Sequence, residues 1–169
     1  MLDVRVPVPQ DIPELRAFLL AAWSEAGPSA LGWTGATDEA VEEIATEDFL
    51  AHLLTDPEVE VRMAVDAQSI LGFAVVRTAG PGRWELAGLI VRERETGKGV
   101  GRELLRHVLC DAGRAGIRSV SVKTETFNDR ALGFYRHEGF VETSRIEEAI
   151  GGKKIPLVVL EHRLLVTPP

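Results

Sequence analysis

The sequence predicts an α/β (α+β) fold: a mixed, mostly antiparallel sheet of about seven strands flanked by about four helices. Three observations carry this reading. Apolar residues alternate with period two in short runs, and recur at helical spacing in longer ones. Three of the short runs follow one another through tight turns, which is an antiparallel meander. A strand, a long helix and a further strand then follow, which is a parallel crossover. At 169 residues the chain suits a single domain spanning 1–169.

The elements read off in order. Leu2–Val6 alternates as a first strand and is closed by Pro7 and Pro9. Gln10-Asp11 opens a helix with Ile12, Leu15, Phe18, Leu19 and Trp23 on one face, and Gly27-Pro28-Ser29 should end it. Ala30–Thr37 is irregular. A second helical stretch covers Asp38 to about Leu54, with Val41, Ile44, Phe49, Leu50 and Leu53 apolar, and Glu47-Asp48 marks a break in it. Val59–Val65 is a strand, Asp66-Ala67-Gln68-Ser69 a hairpin turn, and Ile70–Arg77 and Trp84–Val91 the next two strands. A helix runs from about Gly99 to Ala115 with Val100, Leu104, Leu105, Val108 and Ala112 as its buried stripe and Gly116 as its stop. Ser119–Glu125 is a strand and Asp129–His137 a short helix. Phe140–Arg145 and Pro156–Leu165 are the last strands, joined through Gly151-Gly152.

Composition narrows function. A formal net charge of −7 argues against a duplex nucleic-acid binder, which needs a basic surface. The same charge is compatible with a cationic partner such as an amine or a basic peptide end. No apolar run approaches the roughly 20 residues of a membrane span, and the N-terminus shows no signal pattern, so a cytoplasmic setting without membrane or nucleic-acid partners is expected. Cys110 is the only cysteine, which leaves no internal disulfide, and the four histidines lack metal spacing, so no metal is expected. Cys110 and the tryptophans Trp23, Trp33 and Trp84 read as packing residues, with Trp33 also a candidate for lining an acceptor site.

The segment Thr96-Gly97-Lys98-Gly99-Val100-Gly101-Arg102 lies where a strand gives way to a helix. Glycines there allow a tight turn and close approach of a ligand to the main chain. The N–H groups and the helix dipole can then cradle an anion, with Lys98 and Arg102 adding charge. A plain flexible turn fits the glycines alone equally well. The P-loop pattern fails because Gly99 stands where Ser or Thr is needed. The dinucleotide pattern fails because Arg102 or Leu104 stands at the third glycine.

Gly99-Val100-Gly101 does match the end of the coenzyme loop Gln/Arg-x-x-Gly-x-Gly/Ala of the Gcn5-related N-acetyltransferases, the GNAT superfamily, which the chain resembles. Leu89-Ile90-Val91 stands in place of that family's apolar fourth strand. Asn128-Asp129-Arg130-Ala131-Leu132-Gly133-Phe134-Tyr135, followed by Gly139-Phe140, resembles its second motif. Thr96 departs from the usual Gln or Arg. The resemblance is clear over Glu85–Arg145 and missing over Ala26–Asp56.

It implies a GNAT-type enzyme that transfers an acetyl group from acetyl-CoA, its acyl-donor substrate, to a primary amine by direct attack. The acceptor would be a small molecule, or an amine of a peptide or protein. It implies coenzyme contacts from Leu89, Ile90, Val91, Thr96, Gly97, Lys98, Gly99, Val100, Gly101, Arg102, Asn128 and Tyr135. Tyr135, by itself a core aromatic, becomes the acid for the leaving thiolate, and Asn128 combines a helix cap with a coenzyme contact. Glu85 is the leading base, with Glu125 second and a water chain third. A backbone N–H near Leu89–Val91 would polarise the thioester carbonyl, because the family's fourth strand splays from its neighbour. Acceptor choice is expected in Gly27–Asp56 and in a link at Glu147–Lys154. Dimerisation is common in the family, so a homodimer is allowed. A non-catalytic coenzyme-A sensor is the alternative.

Overall fold

A computed structural model describes residues 1–30, 41–43, 45–67, 69–150 and 152–165. Seven strands form one sheet in the order β1-β2-β3-β4-β5-β7-β6. They are β1 (Asp3–Arg5), β2 (Val59–Val65), β3 (Ile70–Thr78), β4 (Arg83–Val91), β5 (Ser119–Glu125), β6 (Val141–Ile150) and β7 (Lys153–Arg163). All neighbours are antiparallel except β4 and β5. Among the described residues the longer helices are α1 (Ile12–Ala30), α2 (Glu47–Thr55), α3 (Val100–Arg114) and α4 (Asp129–His137). Among the described residues no helix is long and apolar enough to cross a membrane.

Two apolar layers sandwich the sheet. On one face Val100, Leu104, Leu105, Val108 and Ala112 of α3, with Leu132 and Tyr135 of α4, pack on Ala74, Leu86, Val120, Val122, Val158 and Leu160. The α3 stripe is the expected one, and Gly116 takes the left-handed φ of +73° that stops the helix. On the other face Leu15, Phe18 and Leu19 of α1 and Leu50 and Leu53 of α2 pack on Val61, Met63, Phe73 and Ile90. Trp84 joins the first layer and Trp23 borders the second. The expected break in the second helical stretch lies at Thr46, whose side chain accepts from the Phe49 N–H at 3.2 Å and caps α2.

Several expectations fail, each for a local reason. α1 continues through Gly27-Pro28-Ser29 to Ala30, since one proline removes a single donor from an otherwise continuing helix. Phe49 is 37% exposed: it sits in the first turn of α2, about 100° round the helix from the buried Leu50. Cys110 is exposed: two residues beyond Val108, it has rotated about 200° off the buried stripe. β6 reaches Ile150 and β7 starts at Lys153, so most of the expected Glu147–Lys154 link is paired strand, from Glu147↔Pro156 to Ile150↔Lys153. The charged residues hid this edge strand, whose one apolar face needs only Ile146 and Ile150. Trp33 as an acceptor-site residue, Ile44 as a helical apolar position and Gln68 in the hairpin turn lie outside the described residues.

Gly72 on β3 lets α3 sit close to the sheet. A Cβ there would stand 2.8 Å from Leu104 Cδ1, 3.0 Å from Val100 Cγ1 and 3.1 Å from the Ile90 carbonyl oxygen. Gly72→Ala is therefore expected to cost about 1–3 kcal/mol of stability by overpacking, read as a lower Tm in a circular-dichroism melt. An unchanged Tm would mean that α3 is not seated as described.

Candidate active site

Among the described residues the sheet has one parallel ladder, and it is short. β4 and β5 pair from Arg83↔Ser119 to Leu86↔Val122, and no further, although both strands continue. Past that point β5 stays with β7 up to Glu125↔Leu157, while β4 stays with β3 up to Val91↔Gly72. The divergence coincides with a bulge at Ala87: Leu86 pairs with Val76 and Gly88 with Val75. A bulge bends its strand and raises its twist.

The bulge also fixes which main-chain groups face the gap. Arg92 donates its N–H to the Leu71 carbonyl at 3.1 Å. By the alternation of an antiparallel ladder, Ile90 and Gly88 then exchange bonds with β3 as well. The N–H and C=O groups of Leu89 and Val91 point the other way, toward the opening. A strand edge of this kind can pair with an extended polar ligand.

A cleft of about 410 Å³ fills the opening on the α3/α4 face. Of the sequence candidates, Leu89, Val91, Thr96, Gly97, Gly99, Val100, Gly101, Arg102, Asn128 and Tyr135 line it. Ile90 and Lys98 do not. Ile90 is 3% exposed and packs beneath α1 and α2, because successive strand residues point to opposite faces. Lys98 points to solvent beside Glu95, at 3.4 Å.

Gly99 caps α3 with φ +88° and no side-chain hydrogen bond, and Gly97 has φ +80°. The first N–H groups of α3 therefore lack a side-chain partner from the cap, which is the electrostatic condition for an anion at a helix start. The nearby cations are already paired: Arg102 with Glu138 at 2.8 Å and Arg130 with Glu93 at 3.6 Å. Exposed pairs of this kind are weak, so either arginine can exchange its carboxylate for a phosphate.

Tyr135, which also lines the cleft, is 7% exposed. Its ring is held edge-on between Phe134 and Phe140, with centroids 5.2 and 5.4 Å away. Burial pushes its phenol well above the usual value near 10, so it stays protonated across ordinary pH. Asn128 caps α4: its Oδ1 accepts from the Ala131 N–H at 3.1 Å, and its Nδ2 lies 3.5 Å from Glu125 Oε2.

A second pocket of about 160 Å³ is lined by Glu85, Leu86, Ala87, Lys123, Thr124, Glu125, Glu148, Ile150 and Leu157. Leu86, Ala87, Lys123 and Thr124 line both cavities, so the two meet at the fork of the strands. Lys123 Nζ lies 2.6 Å from Glu148 Oε1 and 3.6 Å from Glu85 Oε2. The Glu148 hydrogen bond, helped by the charge of Glu85, outweighs burial and raises its pKa, so it is a fixed cation. Glu85 thus belongs to the second pocket, at the last paired stretch of β4. Glu125 is 2% exposed.

Sequence reasoning did not single out Arg130, Phe134, Thr124 or Lys123. Arg130 and Phe134 stand inside the second motif, four residues apart and so on one face of α4, and helical spacing could have marked them. Nothing in the sequence marked Lys123, whose position depends on the fork.

Solved structures share the fold. A ribosomal-protein-alanine N-acetyltransferase from Brucella melitensis matches with a TM-score of 0.74 at 20% identity, covering 96% of this chain and 99% of its own. The PaiA N-acetyltransferase of Thermoplasma acidophilum, solved with coenzyme A, gives 0.73 at 18%, covering 97% and 99%. The ribosomal-protein-S18-alanine N-acetyltransferase of Escherichia coli gives 0.72 at 13%, covering 100% and 96%. These likenesses establish the GNAT fold. The sequence profile of the Acetyltransferase (GNAT) family matches residues 17–140, and the chain belongs to that family.

Proposed function

We propose that this protein is an N-acyltransferase that moves the acetyl group of acetyl-CoA directly to a primary amine while both substrates are bound. The observation that carries the reading is the fork between β4 and β5, where a cleft with a helix N-terminus at one end meets a separate carboxylate-lined pocket. The N–H groups at the start of α3 would hold the pyrophosphate, and the free edge of β4 would hold the extended arm. That the fold fits coenzyme A is supported by the uncapped, left-handed Gly99 and by the coenzyme A bound in the Thermoplasma acidophilum structure.

The chemistry needs three groups. An N–H of Leu89 or Val91, turned into the opening, would polarise the thioester carbonyl. As the amine nitrogen bonds to the carbonyl carbon, its proton passes to Glu85 or Glu125, directly or through water. As the C–S bond breaks, Tyr135 donates its phenolic proton to the departing thiolate, and the phenol is restored from solvent. Transfer in one ternary complex predicts that thiol-release velocities, with both substrates varied, give intersecting double-reciprocal lines. Parallel lines would mean an acetylated enzyme and contradict direct attack.

A further inference from the structure

The second pocket holds an unsatisfied group. Glu125 is a carboxylate 2% exposed on β5, and among the described residues its buried Oε1 has no hydrogen-bond partner. Its Oε2 has only the long contact of 3.5 Å from Asn128. Burying a carboxylate oxygen without a partner is costly, and native structures keep such groups where something binds them.

The neighbouring cation does not meet this need. Lys123 is engaged by Glu148 at 2.6 Å and Glu85 at 3.6 Å, and no contact joins it to Glu125. The pocket lining therefore carries three carboxylates and one ammonium, a formal charge of −2. Its remaining walls include the apolar Leu86, Ile150 and Leu157. At about 160 Å³ it is smaller than the roughly 300 Å³ of a pocket that encloses a whole drug-sized ligand, so it takes one end of a molecule.

We infer that this pocket binds the acceptor as an alkylammonium ion, with Glu125 as the counter-ion that takes up one of its protons and so frees the nitrogen lone pair for attack. The acceptor class is thus a primary amine on a short apolar stem, without a carboxylate on that stem. A carboxylate there would face Glu85, Glu125 and Glu148 across a pocket with one cation, which Glu148 already holds. This inference rests on the acetyl-transfer reading above and adds the charge and shape of the acceptor to it.

The test compares n-butylamine with 4-aminobutanoate, which share a stem of three methylenes and differ in ending on a methyl or a carboxylate. Affinity for the coenzyme A complex is measured by calorimetry, and turnover with acetyl-CoA by thiol release. The expected result is that n-butylamine binds and reacts at least about tenfold better than 4-aminobutanoate. In Glu125→Gln, which keeps size and one acceptor oxygen, n-butylamine affinity should fall at least about tenfold with coenzyme affinity retained.

Equal handling of the two amines by the wild-type protein would overturn the inference, whatever the variant does. So would unchanged n-butylamine affinity in Glu125→Gln. Either result with thiol release intact leaves acetyl transfer standing. Coenzyme binding with no amine bound and no thiol released would sink both readings together.

Discussion

Tyr135→Phe is expected to lower kcat by about 10²- to 10³-fold while leaving coenzyme affinity and fold intact. The substitution removes one oxygen and keeps the ring that sits edge-on to Phe134 and Phe140. Packing of the first apolar layer is therefore conserved, and loss of rate reports the hydroxyl alone. The phenol is held above its usual pKa by burial, so it is a reservoir of one proton throughout the neutral range. A thiolate leaving from the same water-poor cleft is also destabilised as an anion, which draws the proton across. Without the hydroxyl the thiolate must wait for water. For the same reason the wild-type protein should show no alkaline loss of rate from this group below the ordinary phenol range near 10. Stopped thiol-release assays on both proteins, with coenzyme affinity measured in parallel, check this. Normal turnover in the variant would remove Tyr135 from the chemistry.

The second large effect concerns the start of α3. Gly99→Glu is expected to weaken coenzyme binding by at least about 100-fold. Two terms add. Gly99 sits at φ +88°, a conformation that costs an L-residue about 1–2 kcal/mol. No atom lies within 4 Å of a Cβ built there, so the cost is in the backbone and not a clash. A carboxylate at the cap would also face the site intended for a pyrophosphate, and like charges at about 4 Å repel by about 4 kcal/mol near a protein surface. Gly99→Ala separates the terms: it carries the conformational cost without the charge and should fall between the two. If Gly99→Glu bound coenzyme A as tightly as the wild type, the grip would lie elsewhere than in the helix start.

Much of this was legible because it is local. The α3 stripe from Val100 to Ala112 and the Gly116 stop follow from helical spacing and a single left-handed residue. The second motif likewise placed Asn128 at a cap and Tyr135 about two turns further along the helix. Facing was less legible. β4 is covered on both sides, so apolar runs such as Leu89-Ile90-Val91 do not show which member points to which layer, and Ile90 turned out to belong to the other core. Edge strands were harder still, because Glu147 and Glu148 in β6 look like loop residues until their pairing with Pro156 and Ile155 is seen.

The fork itself had no sequence signal of its own and was expected only from the family resemblance. It arises because β4 and β5 follow different neighbours beyond Leu86 and Val122, with one extra residue at Ala87. Lys123 and Glu125 acquire meaning only from that divergence. In the sequence they are two charges near the end of a strand. In the fold one is clamped between carboxylates, and the other is buried with an oxygen unpaired.

The central claim is acetyl transfer to an amine, and the most direct measurement counts both products in one reaction. Acetyl-CoA and n-butylamine are incubated with the protein, free thiol is titrated, and N-acetylbutylamine is quantified by mass spectrometry. The expected result is amine-dependent thiol release with one acetylated amine formed per thiol. Tight coenzyme binding with thiol release no faster than uncatalysed hydrolysis, across this and a broad panel of amines, would contradict it.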